Sequence, residues 1–75
     1  MFALGSAVRE ARARRRLSQN ALGHRAGLHR NYVGAIERGE IKPTFRGLLK
    51  LTGGLDVPMS ELVAMYERHR NGSRS

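Results

Sequence analysis

Cysteine and tryptophan are absent from the 75 residues, and only four aromatic side chains are present, two Phe and two Tyr. Without cysteine there is neither a disulfide framework nor a thiolate metal site, so a chain this short must be stabilised by compact helix packing or by self-association. Acidic residues are scarce too: six Asp and Glu stand against fourteen Lys and Arg, a formal net charge of +8. No apolar run is long enough to span a bilayer, and no charged segment leads into an apolar stretch as in a secretory signal. These absences fit a cytoplasmic setting. The length suits one domain, expected over residues 1–70, with Asn71-Gly-Ser-Arg-Ser75 as a flexible C-terminal tail.

Positive charge is abundant, and its natural counterpart is a polyanion. A field of this sign concentrates nucleic acid around the protein and supplies sequence-independent binding, although an anionic membrane surface would be attracted as well. Twelve of the fourteen cations are Arg, whose planar fork suits bidentate contact with phosphate or guanine. A cationic membrane-surface binder stays as the alternative from another class; scattered apolar positions, internal turns and the lack of Trp oppose it. An enzyme is opposed by the absence of a phosphate-cradling Gly loop and of any Ser/His/Asp or Cys/His set. His24, His29 and His69 have no metal-ligand spacing, so neither a metal nor a cofactor is expected.

The apolar periodicity predicts an all-α domain of five short helices with no strand. Leu4, Val8 and Ala11 mark a first helix over about 4–16, ending in Arg14, Arg15 and Arg16, cations that complement the negative end of a helix dipole. Ser18 offers an N-cap for a second helix through Ala21, Leu22 and Arg25, with Gly27 as its left-handed stop. A third helix over 29–38 turns Val33 and Ile36 inward and is closed by Gly39. Pro43 interrupts, Thr44 caps a fourth helix carrying Phe45, Leu48, Leu51 and Leu55, and Gly53-Gly54 are expected to fray or stop it. Pro58, at an N1-like position, starts a last helix through Leu62, Val63, Met65 and Tyr66, a stripe that fits either core or a dimer surface.

Two segments are the most informative: Leu17-Ser-Gln-Asn-Ala-Leu-Gly-His-Arg-Ala-Gly-Leu28, then His29-Arg-Asn-Tyr-Val-Gly-Ala-Ile-Glu-Arg-Gly39. Two helices crossing steeply need a small residue at their closest approach, which Gly23 supplies, while Gly27 makes the turn. Leu22, Leu28, Val33 and Ile36 fill the shared core, leaving the outer face of the second segment available. Leu17-Ser18-Gln19, Ala26-Gly27-Leu28, Ile36-Glu37-Arg38-Gly39 and Pro43-Thr44 together resemble the Cro and repressor type of helix-turn-helix domain, the XRE family, over about residues 4–66.

The resemblance implies a lambda-repressor-like five-helix fold and a transcription regulator that binds double-stranded DNA as a homodimer on a palindromic operator. A DNA-binding antitoxin or a restriction-modification controller is the alternative within the same class, with a toxin or RNA polymerase as the protein partner. It further implies a bacterial or phage protein at the nucleoid. Arg30 and Asn31 fall where the family reads base edges, and their chemistry matches: Arg pairs with guanine O6 and N7, Asn with adenine N6 and N7. Gly34 and Ala35 hold the next reading positions but carry no polar side chain, which predicts a short direct code supplemented by DNA shape.

Gln19, His29, Tyr32, Lys42, Thr44 and Arg46 are the phosphate-contacting candidates, residues that position rather than specify. His29 is also the expected cap of the third helix, where relatives often have Ser or Thr. Glu37 resembles the family's acid that pairs with an arginine of the first helix, here Arg12, in a structural ion pair.

Overall fold

Four of the five helices end in the same way, and this fixes where each neighbour begins. In a computed structural model, which describes residues 2–72, the helices are α1 (Phe2–Arg14), α2 (Gln19–Ala26), α3 (Arg30–Glu37), α4 (Phe45–Leu55) and α5 (Met59–Gly72). Arg16, Gly27, Gly39 and Asp56, which follow α1 to α4, all take positive φ. After α2, Leu28 N donates to Gly23 O at 2.8 Å; after α3, Glu40 N donates to Ala35 O at 2.9 Å. These bonds give the last carbonyls partners and reverse the chain within two residues, the Schellman closure.

The helix starts are as local. Ser18 Oγ accepts from Ala21 N and Thr44 Oγ1 from Gly47 N, each at 3.0 Å, capping α2 and α4. Pro58 sits one place earlier than expected, ahead of α5, where its carbonyl accepts from Glu61 N at 3.0 Å.

Packing follows the apolar stripes. Leu4, Ala7, Val8 and Ala11 of α1 meet Leu22, Val33, Ile36, Leu51, Leu55, Leu62 and Met65 in one buried cluster. Helix α1 packs on α3 and α5, and α2 packs on α3 and α4. The α5 stripe divides: Leu62 and Met65 are buried, Tyr66 is half-buried, and Val63 stays 46% exposed.

Helix α3 is one residue shorter at each end than expected because His29 and Arg38 are its caps, and three further boundaries differ, each for a physical reason. Helix α1 stops at Arg14, because Arg16 turns left-handed and Leu17 N reaches back to Arg12 O. Helix α4 runs unbroken through Gly53 and Gly54 to Leu55. Tertiary packing overrides propensity there: a Cβ on Gly54 would lie 2.9 Å from Ala26 Cβ, and Arg25 Nε donates to Gly54 O at 2.7 Å. Helix α5 extends to Gly72, so Asn71 and Gly72 of the expected tail are helical, while residues 73–75 lie outside the described residues.

Candidate nucleic-acid interface

Helix α3, with α2 one of the two shortest helices, is tied to its neighbours through polar contacts that converge on one carboxylate. Glu37, at its last turn, has a side chain only 1% exposed, a burial that needs full compensation. Arg12 of α1 donates through Nε and Nη2 to the two Glu37 oxygens at 2.7 and 3.0 Å. Gln19 Nε2 donates to Oε1 at 3.0 Å, and Arg9 Nη2 donates to the Glu37 backbone carbonyl at 3.3 Å. Burial pushes the carboxyl up, but the hydrogen bonds from Arg12 and Gln19, with the charges of Arg12 and Arg9, leave it below its ordinary range. The same bond raises the Arg12 guanidinium above its usual value. Three helices are thereby locked in one mutual orientation, with the outer face of α3 directed away from the core.

That face presents the residues expected to read bases. Arg30 and Asn31 are exposed at the N-terminus of α3, Ala35 is half-buried, and Gly34 is buried. Gly34 is covered by side chains and not by backbone: a Cβ there would meet Arg38 Nη1 at 2.9 Å and Gln19 Oε1 at 3.3 Å. Arg38 in turn is gripped by Glu40, Nε to Oε2 at 2.8 Å and Nη2 to Oε1 at 3.2 Å. The Arg38 hydrogen bond lowers the Glu40 carboxyl, and the Arg38 guanidinium is raised correspondingly.

His29 caps α3: its Nδ1 accepts from Asn31 N at 3.0 Å. With Nδ1 committed to the cap, Nε2 is the ring nitrogen left to face a phosphate. Gln19 commits its amide nitrogen to Glu37, so its side chain braces α3 in the free chain.

The remaining backbone-gripping candidates gather at the other end of the motif. The Tyr32 hydroxyl and Thr44 Oγ1 converge over Gly47 in the first turn of α4, lying 3.0 and 3.4 Å from where a Cβ on that glycine would sit. Lys42 and Arg46 flank them and are exposed.

Gly23 makes the helix crossing possible, since a Cβ there would stand 2.5 Å from Leu28 O. A model of the helix-turn-helix family matches residues 8–62, from the middle of α1 into α5. The chain belongs to the XRE/Cro-type helix-turn-helix family. It is therefore a DNA-binding transcriptional regulator, and the family is not enzymatic.

The control protein C.SmaI of Serratia marcescens is a relative 37% identical over 60 residues, which are 80% of this chain and 71% of that protein. The restriction-modification controller C.AhdI of Aeromonas hydrophila is 39% identical, with a TM-score of 0.79 over 81% of this chain and 92% of that one. The controller C.Esp1396I superposes with a TM-score of 0.88 over 95% of this chain and 92% of its own; at 21% identity it speaks for the lambda-repressor-like fold alone.

Within this helix-turn-helix frame, three contributions escape sequence reasoning. Arg9 joins Arg12 at Glu37, and the signal was the three-residue spacing that puts both on one face of α1. Arg25 ties α2 to the Gly54 carbonyl, which no spacing announces. Arg38, four residues beyond Gly34, folds back over it, the direction in which helical side chains lean. Among the described residues, no group of His, Cys, Asp and Glu could hold a metal, and no helix is long and apolar enough to cross a membrane.

Proposed function

We propose that this chain is the controller of a restriction-modification system, binding a palindromic operator as a homodimer with α3 of each copy in the major groove. The observation that carries the reading is the likeness to a control protein and to a restriction-modification controller at 37% and 39% identity. The geometry fits it. Arg30 and Asn31 occupy the exposed leading end of α3, where guanine and adenine edges can be reached, with the Ala35 methyl one turn later against a thymine methyl. Lys42, Thr44, Arg46 and Tyr32 grip the backbone at the far end, and Gln19 and His29 at the near end.

The dimer is supported by an open apolar groove lined by Leu4, Leu48, Met59, Leu62, Val63 and Tyr66, with Val63 46% exposed. Two recognition helices about 34 Å apart would then meet successive major grooves. The site of action is the bacterial cytoplasm, at the nucleoid.

Substitution separates specification from positioning. Arg30→Ala is expected to cost roughly 1–3 kcal/mol on the preferred site and to relax one base position. Lys42→Ala is expected to weaken all duplexes alike and to lower the salt slope by about one. Binding titrations on the operator and on random duplex at several salt concentrations check both. Equal loss on both duplexes for Arg30→Ala would remove it from the base-reading role.

A further inference from the structure

We propose that Arg38 is a specificity-determining residue of the DNA-reading surface, its guanidinium occupying the place of the side chain that Gly34 lacks. The inference deepens the reading of α3 as the recognition helix and rests on it. Arg30, Gly34 and Arg38 are spaced by four and lie on one stripe of the helix. The middle of that stripe has no polar side chain of its own. Arg38 supplies one: its side chain leans back along α3 until Nη1 and Cζ stand 2.9 and 3.7 Å from where a Gly34 Cβ would be.

Glu40 aims this group. It binds the Nε and Nη2 edge of the guanidinium in a fork, leaving Nη1, the nitrogen over Gly34, unused by that carboxylate. Both partners are more than half exposed, so the pair adds little to stability, but it restricts the guanidinium to one orientation. Gln19 Oε1 lies 3.3 Å from the same Cβ point, placing an acceptor beside the donors. Donors held in a fixed plane on a helix in the major groove match guanine O6 and N7. Because Glu40 already neutralises Arg38, the residue adds little to the general attraction of phosphates. This is the feature that sets it apart from Lys42.

The test measures affinities of the full chain and of Arg38→Ala and Gly34→Ala for the library-selected operator, its single-base variants and a random duplex. Arg38→Ala is expected to lose roughly tenfold or more on the preferred site, with discrimination collapsing at one base pair per half-site, different from the one lost in Arg30→Ala. Random duplex should lose less than about threefold. Gly34→Ala keeps the arginine but displaces its guanidinium, so it should lose discrimination at that same base pair. Its thermal stability should hold or rise, because Ala favours helix, the nearest obstacle, Arg38 Nη1, ends a flexible side chain, and Gln19 Oε1 at 3.3 Å needs to give by only a few tenths of an ångström.

A uniform loss across all duplexes with Arg38→Ala would make it a phosphate contact and overturn the proposal, as would an unchanged base profile. If Arg30→Ala relaxes a base and Arg38→Ala does not, only this inference falls. A wild-type chain with no sequence preference takes the reading of α3 down with it.

Discussion

Glu37→Ala is expected to destabilise the domain by about 3–5 kcal/mol, a large share of the roughly 4–11 kcal/mol that a chain of this size has. The substitution removes the carboxylate that Arg12 grips and leaves its guanidinium, 19% exposed between α1 and α3, with only the Leu17 carbonyl at 2.8 Å as its partner among the described residues. It also takes the acceptor from Gln19 and so frees the start of α2 from the end of α3. Denaturant unfolding followed by circular dichroism reads the loss. A midpoint close to that of the wild type would mean that the ion pair is dispensable and that apolar packing alone orients α3.

The same carboxylate sets an acid limit. Its folded value lies below the ordinary 4.5, so its stabilisation is present above the unfolded value and is lost as pH falls through the folded one. Glu10 is lowered as well, chiefly by its hydrogen bond with His69 and then by the charges of Arg14 and Arg68. The Glu37 share is therefore read by difference: Glu37→Gln should flatten the loss of stability below that pH while leaving the contribution of Glu10.

Gly5→Ala is expected to lower stability by about 2 kcal/mol net. A Cβ at Gly5 would press into the carbonyls of Ile36 and Glu37, 2.6 Å from the Ile36 oxygen, and both obstacles are backbone. Overpacking of this kind costs up to about 3 kcal/mol, against roughly 1 kcal/mol gained from replacing a helical Gly by Ala. For a domain this small the balance lowers Tm by roughly 8–16 °C.

Gly53→Ala provides the opposite sign within the same fold. Gly53 is exposed on α4 with nothing within 4 Å of a built Cβ, so only the propensity term remains, and stability should rise by up to about 1 kcal/mol. Thermal melts of the two variants side by side check both; a fall for Gly53→Ala or a rise for Gly5→Ala would contradict the packing described above.

Much of this architecture is legible before any coordinates. Caps at Ser18 and Thr44, left-handed glycines at 27 and 39, and buried Leu22, Val33 and Ile36 follow from local chemistry acting within a few residues. The pairing of Arg12 with Glu37, twenty-five residues apart, is reached through family resemblance and not through spacing. What stays hidden is decided by tertiary contact. Gly54 reads as a helix breaker until Ala26 is seen against it, and Arg16 and Asp56 adopt a backbone conformation that their side chains do not advertise. Gly34 reads as a bare position until Arg38 is found lying across it. Local signals place the recognition helix; only the folded chain shows what occupies its outer face.

The most direct test of the central claim is selection from a random duplex library at about 150 mM salt, where sequence-independent phosphate binding is already weakened. The account predicts enrichment of a palindrome whose half-sites lie one helical turn apart, each with a base pair lost to Arg30→Ala. Binding without enrichment of any sequence, or enrichment of an isolated half-site with no symmetry mate, would contradict a dimeric regulator reading DNA through α3.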